Sequence, residues 1–292
     1  MNPRFCVLLL TCCAASSGVV QSGSTRIIEL QRDDLPIPVT ALLREANVIL
    51  IGEMHGTHEG PQFTAQLATA LRRQNESILV ALEIPQSAQT SIDLFMKTGD
   101  RTVLAREAFF SRTYQDGRSS EAMVALLEAL RLIPSVQLIC FDPCAPEHCS
   151  EPGQLRDQQM ASFLEERLAR LKPAVTVVLT GNVHAAVAVG TPWAATYTPM
   201  GWLLSQTRPK GSVLAIKQRY ESGEAWVCTG TDASSCKAKA FRGDPAFANR
   251  SNATRYFSME PASTDGYAAT VFFRQITAAE PFRIGARPNL ID

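Results

Sequence analysis

The stretch that decides the fold runs from Val48 to Gly60 and reads VILIGEMHGTHEG. A short apolar run ends at Gly52, and four polar side chains with catalytic potential follow at once: Glu53, His55, His58 and Glu59. Beyond them, apolar residues recur four apart, which is typical of an amphipathic helix. Strand, tight turn and helix make up the unit from which open α/β sheets are built. Ligands bind outside the carboxyl ends of the strands in such sheets, where we expect Glu53 and His55 to lie.

The same pattern recurs three more times along the chain. Apolar runs predict four strands, at 48–51, 78–84, 136–141 and 175–180. Amphipathic segments between them predict helices at 60–73, 86–97, 102–109, 121–132 and 155–171. The strands are apolar on both faces, as in a parallel sheet between two helix layers. We therefore predict an α/β fold with a mainly parallel central sheet, flanked by helices on both faces.

The C-terminal part predicts a β extension of this sheet. A fifth strand is predicted at 212–220, and 225–228 is predicted to pair with it through the Glu-Ser-Gly-Glu turn. Little periodicity follows in 229–263, and a late strand is predicted at 267–274. No repeat, long linker or composition shift divides residues 18–292, which are predicted to form a single domain.

Polar residues stand at the four predicted strand ends. They are Glu53 and His55, then Glu83, then Asp142, and finally His184 in the run GNVH. Because the ends of parallel strands share one edge of the sheet, we expect these side chains to converge. Two histidines with several carboxylates suit either general acid–base chemistry or a site for a divalent metal ion.

Two functional interpretations of this cluster stay open. In the catalytic one, water is activated by a set of four residues, namely Glu53, His55, Glu83 and His184. In the metal one, a divalent ion is held by Glu53, His55 and His184. The candidate cofactor contacts are Arg118, Asp142 and His58. Arg118 lies in a Gly-containing loop and is either an anion clamp or a surface charge.

Each of these residues also has a structural interpretation. Glu83 would be a carboxylate paired with an arginine, since an unpaired charge in an apolar strand is costly. His184 would cap a helix after the fourth strand. Asp142 would only shape the turn before Pro143, and His58 would be a helix N-terminus residue.

The N-terminus predicts an export signal over residues 1–17. Arg4 supplies a positive charge, 5–13 is almost wholly apolar, and small residues follow at 14–18. The apolar run is too short for a permanent membrane span. We expect an exported protein of the periplasm or cell envelope, with peripheral membrane attachment if Cys12 or Cys13 carries a lipid.

The remaining five cysteines predict two local disulfides. Cys144–Cys149 would close one loop and Cys228–Cys236 another, leaving Cys140 as a buried free thiol. The rival interpretation is a metal site formed by Cys144, His148 and Cys149, although the paired C-x-x-C spacing of zinc sites is absent.

Composition and motifs exclude two function classes. The 28 Lys and Arg residues balance 28 Asp and Glu residues, so nothing indicates a nucleic-acid partner. The chain has no Gly-x-Ser-x-Gly nucleophile elbow, which disfavours a serine hydrolase. The partner expected for the strand-end cluster is a small-molecule substrate or haem.

The two Gly–His motifs, GEMH at 52–55 and GNVH at 181–184, flank the strand-borne Glu83. This order resembles the superfamily of erythromycin esterases, ChaN-type haem-binding proteins and Tiki/TraB-type proteins. The run EMHGTHE resembles the esterase branch, which usually has one more residue between Glu and His, whereas the plan and export signal resemble the ChaN branch. The resemblance spans about 48–184 and implies an α/β fold with a site built from these loops.

Each branch implies a different function. The esterase resemblance implies that His55 is a general base, completed by Glu53, Glu83 and His184. The Tiki resemblance implies a divalent metal on the same groups, and the ChaN resemblance implies haem. The first hypothesis is therefore an exported hydrolase, metal-assisted or not, and the second a haem-binding protein of iron uptake. The third is a catalytically silent envelope protein whose polar cluster is structural.

Overall fold

The computed structural model describes residues 26–284, except 32–33, 76, 145–152, 231 and 262. The predicted signal segment, Cys12 and Cys13 lie outside these residues. The strands are β1 (Ile27–Glu29), β2 (Val48–Glu53), β3 (Ile78–Pro85), β4 (Gln137–Asp142), β5 (Val175–Gly181), β6 (Val213–Cys228), β7 (Cys236–Arg242), β8 (Arg255–Met259) and β9 (Ala269–Ile276). The helices are α1 (Ile37–Leu43), α2 (Glu59–Arg72), α3 (Gln89–Thr98), α4 (Arg101–Arg106), α5 (Ala108–Ser111), α6 (Glu121–Arg131), α7 (Gly153–Leu171), α8 (Met200–Gln206) and α9 (Pro245–Ala248).

The described strands form one mixed sheet in the order β1-β8-β9-β6-β2-β5-β3-β4, and β7 pairs with β6. The four strands predicted around the cluster are neighbours and mutually parallel. Strand β6 continues the parallel part on the other side of β2. The register places Glu53 opposite Gly181, so the two Gly–His motifs leave the sheet side by side. The predicted parallel core with a C-terminal β extension is confirmed.

Alternation along the strands divides the apolar core into two layers. Ile49 and Ile51 of β2 face a cluster that includes side chains of α2, α3 and α6. Val48 and Leu50 face the opposite cluster, built on α7 and α8. Both faces of the central strands are thus buried, which explains why they read as continuous apolar runs. The prediction of helices on both faces is confirmed.

The structure corrects the prediction for the fifth strand. Strand β6 runs without a break from Val213 to Cys228, and it does not fold back at 221–224. Ser222 and Gly223 instead pair with β9 on one side and β7 on the other. This hydrogen bonding on both sides keeps the segment extended, although its sequence predicts a turn. The aperiodic stretch 229–263 contains β7 and β8, and β8 lacks alternation because four of its five residues are buried.

Cysteine pairing agrees with the sequence where the structure describes it. Cys228 and Cys236 are bonded at the end of the β6–β7 hairpin, and Cys140 is a buried free thiol, as predicted. Cys149 and His148 lie outside the described residues, as does the predicted Cys144–Cys149 pairing. Among the described helices, none combines the length and apolar character needed to cross a bilayer.

The close approach of Tyr267 to β2 gives a stability prediction. A Cβ on Gly52 would lie 2.2 Å from the Tyr267 hydroxyl, which donates to the Asn182 carbonyl. Gly52→Ala should therefore destabilise the fold by about 1–3 kcal/mol through overpacking. The cost should fall in a Tyr267→Phe background, as measured by urea unfolding of the four proteins.

Gly153→Ala is the control, since its Cβ would meet nothing closer than 3.5 Å. An equal cost of Gly52→Ala in both backgrounds would contradict the packing account.

Candidate active site

Glu83 lies at the centre of the polar cluster and joins the two histidines. His55 Nε2 is 3.5 Å from Glu83 Oε2, and His184 Nε2 is 3.9 Å from Glu83 Oε1. Glu53 contacts His55, and Asp142 joins Glu83 through shared arginines. The structure thus brings six sequence-predicted residues, Arg118 among them, into one network at the carboxyl edge of the parallel strands.

His55 is held between two carboxylates. Its Nδ1 lies 2.9 Å from Glu53 Oε1, and its Nε2 faces Glu83. Burial by itself lowers the pKa of His55, but the charge of Glu83 and the hydrogen bond and charge of Glu53 outweigh it, so the pKa is raised above 6.5. The side chain is 26% exposed. His55 is therefore both basic and open to solvent.

Glu53 has one bonded and one unbonded oxygen. Oε1 contacts His55, while Oε2 is buried and has no hydrogen-bond partner among the described residues. Burial raises the pKa of Glu53 above its ordinary value, despite the lowering effect of His55. An unsatisfied buried oxygen costs about 1–3 kcal/mol, so Glu53 is kept in an environment that stability alone would not select.

Glu83 is only 3% exposed but fully hydrogen-bonded. Oε2 accepts the Thr180 hydroxyl (2.6 Å) and the Gly181 N–H (2.9 Å). Oε1 accepts from Arg156 (2.5 Å) and Arg118 (3.3 Å). Burial raises its pKa, but the two histidines and two arginines outweigh burial and hold the pKa well below 4.5. Glu83 is therefore a fixed negative charge.

Two arginines tie Glu83 to Asp142. Arg118 Nη1 donates to Asp142 Oδ2 (2.6 Å), and its Nη2 and Nε donate to Asp116 (2.8 and 3.1 Å). Arg156, on α7, donates to both oxygens of Asp142 (3.0 and 2.9 Å). Both guanidinium groups are thus neutralised by carboxylates that the sheet and loops supply.

His184 is bonded through both ring nitrogens. Nδ1 lies 2.8 Å from Asp157 Oδ2, and Nε2 lies 3.0 Å from Arg156 Nη1. A carboxylate only accepts and a guanidinium only donates, so the network assigns the proton to Nδ1 and the lone pair to Nε2. The Tyr197 hydroxyl donates to the same oxygen of Asp157. No helix begins at His184, so the predicted helix-cap role does not apply.

The motif glycine Gly181 leaves room for the base. It lies in β5, and a Cβ at this position would come within 2.9 Å of His55 Nε2. The glycine therefore permits close approach of the imidazole.

The structure places His58 apart from the cluster. It precedes α2, where its backbone N–H donates to the Thr277 carbonyl, and burial lowers its pKa. The adjacent Glu59 accepts the Thr277 N–H and hydroxyl. Both residues hold the segment that follows β9, in keeping with their position at a helix N-terminus.

Arg156 and Asp157 were missed in the sequence, as were Asp116 and Thr180. Asp157 is fully buried and lies on the apolar stripe of α7, three and four residues before Met160 and Ala161. A carboxylate on the apolar stripe of a helix is the sequence feature that could have identified Asp157. Nothing in the sequence singles out Arg156 from the other arginines of this helix.

These residues do not fit the predicted metal ion. Across the described ranges, no group of three or more His, Cys, Asp or Glu side chains is arranged to hold one. The lone pair of His184 Nε2 is occupied by Arg156, and two guanidinium groups stand where a cation would need negative charge. Of the three predicted ligands, His184 is thus already bonded to an arginine, and Glu53 and His55 are bonded to each other.

The cluster does not fit haem either. Haem needs an apolar slot and a free axial ligand, whereas these groups are charged and ion-paired. The hydroxyl groups of four tyrosines are occupied, namely Tyr114, Tyr197, Tyr256 and Tyr267.

Comparison with solved structures bears on the fold. A succinoglycan biosynthesis protein superposes with a TM-score of 0.67 at 10% identity, covering 87% of this chain and 95% of that one. Erythromycin esterase EreC in its open conformation gives a TM-score of 0.62 at 11% identity, covering 91% and 100%. The chain has the erythromycin esterase fold. The resemblance seen in the two Gly–His motifs is therefore confirmed at the level of the fold.

The other comparisons add little beyond the esterase fold. ChaN of Campylobacter jejuni, solved with cofacial haem, gives a TM-score of 0.41 at 12% identity, covering 72% of this chain and 92% of that one. A likeness this low carries no argument about haem here. No family model and no curated protein matches the sequence.

The position of His55 between two carboxylates gives a titration prediction. NMR should show the His55 imidazole losing its proton above pH 6.5, its ordinary value. Glu53→Gln should lower that midpoint, because the variant removes one of the two charges that stabilise the imidazolium. Titration of His58, whose pKa is lowered by burial, serves as the internal control. A His55 midpoint below 6.5 in the unmodified protein would contradict the electrostatic account.

Proposed function

We propose that the protein is a hydrolase in which His55 acts as general base on water. The observation that carries this proposal is that His55 Nε2 faces no N–H donor of the cluster. His55 is also the more exposed of the two histidines in the cluster. His184 is the alternative base, but its Nε2 is taken by Arg156. The catalytic role therefore falls to His55, with His184 in a supporting position.

The neighbouring carboxylates support this role in different ways. Glu53 accepts from Nδ1 and so directs the lone pair of the neutral ring to Nε2. When Nε2 takes a proton from water, the fixed charge of Glu83 at 3.5 Å stabilises the imidazolium that forms. The hydroxide oxygen adds to a carbonyl carbon, and the proton returns from Nε2 to the leaving oxygen as the carbon–oxygen bond breaks.

The charge of the cluster favours a neutral reacting group. Arg118 and Arg156 are both paired with carboxylates, so no surplus positive charge is available for an anionic substrate. An ester or lactone carbonyl fits this requirement. The shared fold with an erythromycin esterase supports the same class, a small-molecule ester, without identifying the substrate.

Loss of His55 gives the direct test. Hydrolysis would be screened with p-nitrophenyl esters and macrocyclic lactones, including erythromycin, with and without added divalent metal. His55→Ala should lower kcat by about a hundred- to ten-thousand-fold, the usual worth of a general base, while its melting temperature stays close to that of the unmodified protein. His58→Ala, three positions along the same loop, should retain its activity. Full activity of His55→Ala on any substrate that the unmodified protein hydrolyses would end the proposal.

We also propose that the protein acts after export. The Cys228–Cys236 bond supports this, because such bonds persist mainly in oxidising compartments. Mass spectrometry of protein secreted by a bacterial host should show a mature N-terminus near residues 14–18, and full-length protein in the cytoplasm alone would contradict export.

A further inference from the structure

We infer that Arg156 is a catalytic residue that binds the carbonyl oxygen of the substrate, and that Asp157 and His184 position it. This inference rests on the proposed hydrolysis, and it concerns the second requirement of that reaction. Attack on a carbonyl moves negative charge onto its oxygen, and a hydrogen-bond donor fixed beside that oxygen lowers the barrier. Arg156 is a charged donor of the Glu83 network, and it also contacts His184.

The donor count of Arg156 leaves one N–H for a ligand. Its Nε–H donates to Asp142 Oδ1, and the two N–H groups of Nη2 are used by Glu83 and Asp142. One N–H of Nη1 donates to His184 Nε2. The second has no partner among the described residues, so four of the five donors fix the guanidinium in place.

Arg156 and His55 contact opposite oxygens of the Glu83 carboxylate. Glu83 Oε2 faces His55 Nε2, while Oε1 faces Arg156 and His184. The carboxylate of Glu83 thus separates His55 Nε2, which would take the proton from water, from Arg156, which would bind the carbonyl oxygen. The side chains of Arg156 and His184 are 12% and 14% exposed, whereas that of Glu83 is 3% exposed.

His184 acts on Arg156 only in one tautomer. With the proton on Nδ1, its Nε2 accepts from Nη1 and holds that edge of the guanidinium. With the proton on Nε2, two donors would face each other at 3.0 Å. The group that sets the tautomer therefore decides whether the Nη1 edge of Arg156 is held.

Asp157 sets that tautomer because it can only accept. It is fully buried and receives three donors: Oδ2 takes His184 Nδ1–H and the Tyr197 hydroxyl, and Oδ1 takes the Met200 N–H. An asparagine offers one oxygen and one NH₂, so it cannot satisfy all three. Either Met200 N–H meets a donor, or the NH₂ faces His184 and moves the ring proton to Nε2, against Arg156.

The charge of Arg156 is secure in this environment. Burial lowers the pKa of the guanidinium, but Glu83 and Asp142 outweigh burial and raise it above its ordinary value. Charged donors make hydrogen bonds roughly twice as strong as neutral ones, which suits an oxygen that becomes negative. The developing charge is thus met at Nη1, while the proton from water is taken at His55 Nε2.

The kinetic test compares two arginine-to-lysine variants on helix α7. Arg156→Lys should lower kcat on the ester or lactone hydrolysed by the unmodified protein by about a hundred- to a thousand-fold, the usual cost of one oxyanion donor. KM should change only a few-fold, and the acid limb of the pH profile, set by His55, should not move. Arg170→Lys is the matched control, since Arg170 is an exposed arginine of the same helix. Retention of more than half of kcat by Arg156→Lys would overturn the inference.

The positioning roles of Asp157 and His184 can be tested by a measurement that does not depend on activity. Nitrogen-15 NMR of the unmodified protein should show hydrogen on Nδ1 of His184 and not on Nε2. Asp157→Asn should move the proton to Nε2 and lower kcat, while His55 still titrates as before. A proton on Nε2 in the unmodified protein, or an unchanged tautomer and kcat in Asp157→Asn, would overturn the role of Asp157. If Asp157→Asn does not fold, the unmodified spectrum and Arg156→Lys decide.

The outcomes also separate this inference from the proposed function. An active His55→Ala protein removes the general base, whatever the tautomer of His184. An inactive His55→Ala protein with a fully active Arg156→Lys protein leaves the base in place and removes only the role of Arg156.

Discussion

The carboxylate of Glu83 is the group on which the rest of this arrangement depends. It lies in a central strand that is apolar on both faces, where an unpaired charge would be very costly. Its partners come from separate parts of the chain: Thr180 and Gly181 at the end of β5, Arg118 in the loop before α6, and Arg156 on α7. Because losing one partner of a buried pair typically costs about 3–5 kcal/mol, the network holds these segments at one edge of the sheet.

The same constraint separates the groups that are fixed from the group that can react. Glu83 and Asp157 have both oxygens hydrogen-bonded, and Arg156 has four of its five donors in use. Such saturation removes their freedom to rearrange, which is what electrostatic preorganisation requires. Glu53 is different, because its second oxygen is buried without a partner. The unsatisfied, destabilising oxygen thus lies beside His55, where the proposed reaction moves a proton, whereas both oxygens of Glu83 are hydrogen-bonded.

The sequence predicts the sheet and the converging residues better than their roles. Strands β2 to β5 are readable because helices cover both faces and leave continuous apolar runs. Strand β6 is misread because tertiary pairing on both sides of Ser222 and Gly223 overrides a local turn signal. Arg156 could not be found, since its role comes from the crossing of α7 over the strand ends. Asp157 could have been found, as a carboxylate on the apolar stripe of that helix.

The two Gly–His motifs show why position alone does not assign chemistry. His55 and His184 follow neighbouring parallel strands, both place Nδ1 against a carboxylate, and both direct Nε2 towards Glu83. They differ in one contact, because Arg156 donates to Nε2 of His184 and no cluster donor reaches Nε2 of His55. Nε2 of His184 is thus already hydrogen-bonded, whereas Nε2 of His55 faces the carboxylate of Glu83, whose charge raises the pKa of His55. The position of one arginine thus distinguishes two equivalent histidines, and the proposed mechanism uses one as the base and the other as a support for Arg156.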